Sequence, residues 1–421
     1  MNKKKLIALF LCLFGLSLGF AQETFNVMFY NVLNYPDQTP ASRIDNLEAI
    51  ITNTQPDIFM VCEVNNVQGS NNILNMLQGV KPDYAGANFV LNTSDDTTGN
   101  QNDLQNMMYY DASKFILVSQ DEVPTTVRDF NHYVLKLNSV DQNTNPIFLN
   151  LFVCHLKASS GDSNQAIRFE MVTELISYMD ANLANDDLVL LGGDLNLYTH
   201  TENAFIELVD TSNNITFVDP ANRQGSWHNN VSFVDVFTQS TRTQTGLGGA
   251  TGGFDDRFDF IMTSENMITN SDLYYVPNSY KVYGNNANTN CYNDEIISSN
   301  CAGPEYDLII RNELYQMSDH LPVLVQLETF ETILGVEDLV QNASLQVLGP
   351  NVLSDWLRLQ ATSAHLIGER LSVFNPIGQK MTSMTINDLN QFKINVSNWS
   401  SGIYYVVVSN NYIQPIKFIK K

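Results

Sequence analysis

The chain has 421 residues, of which 44% are hydrophobic and 16% are charged, a composition that indicates globular rather than disordered structure. Its length predicts two domains, one large and one small. The formal net charge of −23 argues against tight non-specific DNA binding through a basic groove, because an acidic surface repels phosphates at long range. An enzyme that acts on nucleic acid is not excluded, since bound divalent cations invert the local field.

The N-terminus resembles a secretory signal. A basic start, Met1 to Lys5, precedes an apolar run from Leu6 to Phe20, and Gly19 and Ala21 are small residues where a signal peptidase requires them. The apolar run of about 15 residues is shorter than the roughly 20 that a membrane span needs. We therefore predict a signal peptide over residues 1–21, no stable membrane span and an exported protein.

Strand-like and helical patterns follow in alternation. Apolar runs predict strands at residues 25–31, 58–63, 107–110, 115–118, 132–137, 146–155, 188–191, 258–263 and 321–328. Apolar residues at helical spacing predict helices at 42–53 and 164–183. Because strands alternate with helices in some places and pair as hairpins in others, the pattern predicts an α/β domain of mixed sheets with helices outside.

The four cysteines beyond the predicted signal peptide form two groups. Cys291 and Cys301 lie in a polar stretch, 278–316, which we interpret as an insertion. They are predicted to form a disulfide, because disulfides persist in exported proteins. Cys62 and Cys154 lie inside apolar strand-like runs and are predicted to be buried free thiols.

The character of the chain changes near residues 329–335. Alternating runs at 371–374 and 403–408, with turns at 375–376 and 401–402, predict a small all-β domain. The predicted organisation is a signal peptide at 1–21, a large domain at 22–330, a linker at 331–335 and a small domain at 336–421.

Polar residues follow the ends of four predicted strands of the large domain, lie within the strand at 258–263, or directly precede the strand at 321–328. They are Asn31, Glu63, His155, Lys157, Asp194, Asn196, Asp259, Asp319 and His320. Any one of them alone is more often a surface group, a core histidine or a turn former than a functional residue. Their recurrence at six strands predicts one site, because residues two apart in extended backbone point to the same face.

The residue types suit phosphoester chemistry. Asn31, Glu63 and Asp319 offer hard oxygen ligands for Mg²⁺, with Mn²⁺ or Ca²⁺ as alternatives, and the donor set disfavours Zn²⁺. Histidines can hold a phosphoryl oxygen or move a proton near neutral pH. Asp194 could activate water, and Asn196 could donate to charge developing on phosphorus.

Six short segments resemble the endonuclease/exonuclease/phosphatase superfamily, in the order that family has them. They are residues 29–32, 55–58 leading to Glu63, 154–157, 192–196, 256–261 and 318–322. The resemblance covers roughly 24–328 and implies a four-layer α/β sandwich with two mixed β-sheets flanked by helices. It implies Glu63 as principal metal ligand, assisted by Asn31 and Asp319.

The same resemblance implies the catalytic residues. These are His155 on a phosphate oxygen, Asp194 and Asn196 on the attacking water, His320 as acid/base or phosphate ligand, Asp259 orienting His320, and Tyr110 on the phosphate side.

The C-terminal region resembles a type IX secretion sorting domain through residues 373–379, 399–406 and the basic end 417–421. This implies passage through the outer membrane of a Gram-negative cell, with the type IX machinery as partner, and release or attachment at the surface. A small β-sandwich binding module is the alternative reading of the region.

The resulting hypothesis is a secreted, metal-dependent endonuclease, expected to be a monomer, that hydrolyses extracellular nucleic acid. A phospholipase C-like or sugar-phosphate phosphatase would use the same site on another phosphoester. A surface binding protein that kept the fold without activity is the alternative of a different kind.

Overall fold

The computed structural model describes residues 22–94, 104–269, 272–334, 345–349, 351–361, 366–387, 391–408 and 416–421. The predicted signal peptide, the last residue of the predicted linker and the start of the predicted small domain lie outside these residues. The chain divides into two compact units, Met1–Thr332 and Ile333–Lys421. In the described part, no helix has both the length and the apolar character of a membrane span.

The first unit is built from strands and helices in alternation. Its strands are β1 (Glu23–Tyr35), β2 (Ile58–Val64), β3 (Tyr84–Gly86), β4 (Gln105–Asp111), β5 (Phe115–Val123), β6 (Phe130–Leu137), β7 (Phe148–His155), β8 (Leu188–Asp194), β9 (Phe217–Val218), β10 (Asp259–Ser264), β11 (Tyr274–Tyr275), β12 (Lys281–Val282) and β13 (Val323–Thr329). Its α-helices are α1 (Arg43–Thr54), α2 (Val67–Val80), α3 (Asp162–Asn182), α4 (Asn203–Leu208) and α5 (Leu308–Met317). Short 3₁₀ helices span Val231–Val236, Thr245–Leu247, Glu265–Ile268, Thr289–Cys291 and Ser299–Cys301.

These strands form two mixed sheets. The first has the order β11-β13-β1-β2-β4-β3, with β12 also paired to β13, and the second has the order β5-β6-β7-β8-β10-β9. In each sheet one central pair is parallel, β1 with β2 and β7 with β8, while the other pairs are antiparallel. The predicted α/β class with two mixed sheets is confirmed.

The two sheets pack face to face between helices. β1 and β2 contact β7 and β8 across the interface. On one outer side, α1 contacts α2 and α5, and Thr54 of α1 touches Met28 of β1. On the other side, α3 and α4 share a hydrophobic core with the second sheet. The four-layer sandwich with helices outside is therefore confirmed.

The central strands are continuous apolar runs because both of their faces are covered. Every residue of β2 and of β8 is buried. Two glycines in β8 allow the close packing there: a Cβ on Gly192 would lie 2.5 Å from Met60 Cε, and one on Gly193 would lie 2.4 Å from Cys154 Sγ. The Gly-Gly pair thus belongs to the strand, and Asp194 is its last residue rather than part of a turn.

The segment interpreted as an insertion, 278–316, is more structured than the sequence indicated. It holds β12, two 3₁₀ helices and α5, whose N-cap Asp307 accepts a hydrogen bond from the Ile310 N–H. Cys291 and Cys301 are joined as a disulfide with Cα atoms 4.4 Å apart, while Cys62 and Cys154 are free and buried. The helix was missed because its apolar face is short and interrupted by polar residues.

The second unit is all-β in its described residues. Its strands are β14 (Leu345–Val347), β15 (Val352–Leu353), β16 (Trp356–Ala361), β17 (Arg370–Phe374), β18 (Lys380–Thr385), β19 (Gln391–Asn395), β20 (Gly402–Val408) and β21 (Ile416–Lys420). They form two sheets, ordered β14-β16-β19 and β15-β21-β20-β17-β18, around one hydrophobic core. The predicted small all-β domain is confirmed.

Candidate active site

Five of the predicted site residues lie at the same end of the central strands. Asn31 lies in β1, Glu63 near the end of β2, His155 and Asp194 at the ends of β7 and β8, and Asp259 at the start of antiparallel β10. Register places neighbours side by side, because Asp194 pairs with both His155 and Asp259. All five are buried, so the topology gathers polar groups between two apolar sheets.

Asn31 lies at the centre of this cluster. Its Nδ2 donates to Glu63 Oε1 at 2.9 Å and Asp194 Oδ2 at 3.1 Å, and lies 3.4 Å from His320 Nε2. Its Oδ1 accepts the Leu33 N–H at 3.0 Å. In this orientation Asn31 is a donor between acidic groups, and a 180° rotation of its amide would be needed to present oxygen to an ion.

His320 and Asp259 form a buried pair. His320 Nδ1 lies 2.7 Å from Asp259 Oδ2, which fixes the orientation of the ring. Burial alone would lower the pKa of His320, but the carboxylates of Asp259, Asp319 and Asp194 raise it well above its ordinary value. These carboxylates therefore favour the cationic form of the ring, whose Nδ1–H donates to Asp259.

His155 has the opposite character. Its Nδ1 lies 3.8 Å from Glu63 Oε1, and its Nε2 lies 3.7 Å from Asp194 Oδ2. Burial, together with the positive charge of Arg128, lowers the pKa of His155 well below its ordinary value. The neutral ring has one N–H to donate and one nitrogen that can accept.

Asp194 is placed to act as a base. Burial, and then the negative charge of Asp259 and Glu63, raise its pKa to about 8 against the partly compensating charge of His320. The Asn196 N–H donates to Asp194 Oδ1 at 3.1 Å, and Asn196 Nδ2 donates to the Leu156 carbonyl at 3.2 Å. A carboxyl group with a pKa near the working pH is suited to accept a proton from water.

Glu63 and Asp319 carry the remaining acidic groups. Burial, followed by the negative charge of Asp319, raises the pKa of Glu63. Asp319 Oδ2 accepts the Ala250 N–H at 2.6 Å, whereas its Oδ1 is buried without a hydrogen-bond partner among the described residues. Buried carboxylates with an unsatisfied oxygen fit a divalent cation, which would compensate both the charge and the missing bond.

Two groupings within the cluster have metal-binding spacing. One ligand atom from each of Glu63, His155 and Asp194 lies within 4.8 Å of the others, and the same holds for Asp194, Asp259 and His320. Asp194 belongs to both groupings. It therefore lies between Glu63 and His155 on one side and the pair of Asp259 and His320 on the other.

The structure does not bring Tyr110 to this cluster, which corrects the expected role for it. Tyr110 pairs with Ile58 at the start of β2, five residues from Glu63. At about 3.3 Å per residue, that separation is roughly 16 Å along the strand. The role of Tyr110 was implied by the family resemblance alone, and the antiparallel register of β4 on β2 overturns it.

Gln239 is a further residue of the candidate active site, and no pattern in the sequence predicts it. Its Nε2 contacts His320 Nε2 and lies 3.3 Å from Asp319 Oδ2. Gln239 belongs to no strand motif, so no pattern marked it. The glycine-rich stretch beside it carried a usable signal: Gly249 has φ +73°, and a Cβ there would lie 2.5 Å from Asp319 Cγ. Close approach to a site is one of the reasons a chain uses glycine.

The pKa shifts predict how stability depends on pH without metal. Asp194, raised from 3.8 to about 8, and His320, raised above 6.5, each hold protons more tightly when folded. The stability that each bound proton provides is therefore lost as pH rises. Asp194 and His320 both lose it in the range from pH 6.5 to 8.

In EDTA, we expect the free energy of unfolding to fall by about 2 kcal/mol across that window. Differential scanning calorimetry at each pH measures it. Mg²⁺ should flatten the profile, and Asp194→Asn should reduce the fall. An equal fall in the variant would contradict the assignment to Asp194.

Two segments of the chain match family models. Residues 24–320 match the Endonuclease/Exonuclease/phosphatase family, and residues 350–421 match the Secretion system C-terminal sorting domain. No curated protein matches the chain.

Several solved structures are similar. The human Nocturnin catalytic domain with bound sulfate is 14% identical with a TM-score of 0.42, covering 72% of this chain and 94% of that chain. An endonuclease/exonuclease/phosphatase family protein from Bacteroides thetaiotaomicron is 15% identical with a TM-score of 0.42, covering 73% and 99%. One from Beutenbergia cavernae is 11% identical with a TM-score of 0.44, covering 94% and 99%.

Proposed function

The chain belongs to the endonuclease/exonuclease/phosphatase family, and on that basis we propose that it is an exported, divalent-metal-dependent endonuclease that hydrolyses phosphodiester bonds of extracellular nucleic acid. The observation that carries the proposal is the buried grouping of Asp194, His320 and Asp259 beside the unsatisfied oxygen of Asp319. A base, an oriented acid and a cation-binding carboxylate are the parts that phosphoester hydrolysis requires.

The residues fit a hard divalent cation. Glu63 and Asp319 would hold Mg²⁺, or Mn²⁺ or Ca²⁺, and Asn31 would join them through its amide oxygen after rotation. When bound, such a cation stabilises negative charge on phosphate oxygens and thereby supports attack at phosphorus.

The chain's own residues would divide the proton transfers. Asp194 takes a proton from the attacking water, which the backbone and amide of Asn196 help to place. Neutral His155 donates its N–H to a phosphate oxygen. Cationic His320, held by Asp259, donates from Nε2 to a phosphate or leaving oxygen.

A panel of substrates tests the proposal. The full chain would be assayed with supercoiled plasmid, RNA, sphingomyelin and p-nitrophenyl phosphate, with Mg²⁺ or with EDTA. The proposal predicts metal-dependent nicking of plasmid, with steep inhibition by salt. Turnover of lipid or monoester alone would assign a phospholipase C-like or phosphatase substrate, and no turnover by folded protein would favour a binding role.

Removal of the second unit should separate activity from export. A chain that ends at Thr332 keeps every residue of the candidate active site and the compact first unit. We expect it to retain catalysis in vitro and to accumulate inside the outer membrane in a host with the secretion machinery. Cell fractionation and an activity assay measure both effects, and loss of catalysis in the truncated protein would place the boundary elsewhere.

A further inference from the structure

A second group of metal-binding side chains lies beside the candidate active site. His228, Asp255 and Asp256 each offer one ligand atom, and these atoms lie within 4.8 Å of one another. We call this group the His228 cluster. None of the three has a part in the proposed reaction.

The backbone holds the His228 cluster in place. The N–H groups of Asp255 and Asp256 both donate to the Gln239 carbonyl, at 3.0 and 2.8 Å. The Asn229 N–H donates to the Asp255 carbonyl at 3.0 Å. The His228 ring packs edge-on against Tyr198, with centroids 5.0 Å apart. The ligand atoms therefore stand on a fixed frame, as a preformed site requires.

Asp255 is the observation that points to a ligand. It is only 9% exposed, and its carboxylate makes no hydrogen bond or ion pair with any residue in the part of the chain that the structure describes. Burial and the neighbouring charge of Asp256 raise its pKa to about 6. A largely buried carboxylate next to a second carboxylate is costly, and a cation would compensate both charges.

His228 and Asp256 complete a donor set. His228 Nδ1 is hydrogen-bonded to Asp256 Oδ1 at 2.7 Å, and its Nε2 lies 2.6 Å from Asn229 Nδ2, so a bound cation would replace the contact between imidazole and carboxylate. The His228 side chain is 44% exposed, which leaves an entry path and an open coordination position. One imidazole and two carboxylates suit Zn²⁺ or Mn²⁺ better than Mg²⁺, in contrast to the all-oxygen set of Asn31, Glu63 and Asp319.

The position of the His228 cluster suggests its use. The backbone of Gln239 bridges to Asp256 and also to His320. One residue therefore separates the cluster from the histidine that faces the phosphate in the proposed reaction. In a chain with a net charge of −23, a bound cation here would supply positive charge for a second phosphate group.

We propose that His228, Asp255 and Asp256 form a second divalent-metal site, for Zn²⁺ or Mn²⁺, next to the candidate active site. In the metal-bound form His228, Asp255 and Asp256 would each supply one ligand atom. The proposed metal site stands whether or not the proposed function is correct. Only its use in holding a substrate phosphate rests on the proposed function.

Isothermal titration of the full chain with Zn²⁺, in excess Mg²⁺ to fill the all-oxygen set, tests the site. We expect one Zn²⁺ equivalent in the wild type, and at least about a hundredfold weaker binding in Asp255→Asn and His228→Ala, since loss of an outer partner alone already costs 10–100-fold. Asp235→Asn, which changes an exposed carboxylate paired with Arg223, is the matched control and should bind as the wild type does.

Equal Zn²⁺ binding by the wild type, Asp255→Asn and His228→Ala would overturn the proposal and leave an ordinary His–Asp ion pair. A crystal soaked in Zn²⁺ gives an independent check, because an anomalous peak about 2.0–2.2 Å from His228 and Asp255 is expected. Its absence from a crystal with zinc at other positions would also overturn the proposal. Both readouts are separate from hydrolysis, so failure of the proposed activity would leave them unaffected.

Discussion

Asp194→Asn should lower the rate of metal-dependent phosphodiester hydrolysis at least about a hundredfold. The substitution keeps the shape of the side chain and its contact with Asn31, but it removes the carboxylate whose pKa burial raises to about 8. The loss should appear in kcat, because the proton transfer belongs to the chemical step. Steady-state kinetics with a diester substrate measure it.

Asp57→Asn is the matched control for this variant. Asp57 is also a buried carboxylate of the first unit, but it precedes β2 and therefore lies at the opposite end of that strand from Glu63. Asp57→Asn removes the ion pair between Asp57 and Lys114, which should lower the stability of the protein without changing the candidate active site. The control should keep activity within about twofold. An Asp194→Asn enzyme as active as this control would refute Asp194 as the base.

His320→Gln should cost a similar factor of at least about a hundred in kcat. The positive charge on the His320 ring depends on Asp259, whose Oδ2 lies 2.7 Å from His320 Nδ1. Glutamine at this position cannot transfer a proton to a leaving oxygen. Asp259→Asn should retain more activity, with its alkaline limb moved to lower pH, because loss of that carboxylate lowers the pKa of His320. A pH–rate profile of both variants measures these effects.

His132→Gln provides the comparison for a histidine change. His132 is buried in β6, hydrogen-bonded to Asn150 and stacked on Phe152, and it belongs to neither metal-spaced grouping of the candidate active site. Its replacement should leave kcat nearly unchanged. If Asp259→Asn kept the wild-type alkaline limb, Asp259 would not set the charge of His320.

The strand ends of the large domain were predictable for a physical reason. Apolar runs such as β2 and β8 are long and buried on both faces, so their limits show in the sequence, and the polar residues that close them must lie at one end of the sheets. The sequence therefore predicts that Asn31, Glu63, His155 and Asp194 lie together, as they do in the structure. The family resemblance and the sorting domain are confirmed by the segments that match.

Other features depend on contacts that no local pattern encodes. Gln239 reaches His320 and Asp319 from an irregular segment, and the His228 cluster joins residues separated by about 28 positions. Tyr110 was implied by the family resemblance alone, and the antiparallel pairing of β4 with β2 places it at the opposite end of β2 from Glu63. Helix α5 was missed because its face toward α1 is only a few residues long.

The most direct test of the account is hydrolysis of bis-p-nitrophenyl phosphate by the purified full chain, titrated with Mg²⁺ and then treated with EDTA. We predict turnover that saturates with Mg²⁺, is abolished by EDTA and is lost in Asp194→Asn but kept in Asp57→Asn. Hydrolysis that persists in EDTA, or that is equal in the two variants, would contradict a metal-dependent reaction at the buried strand ends.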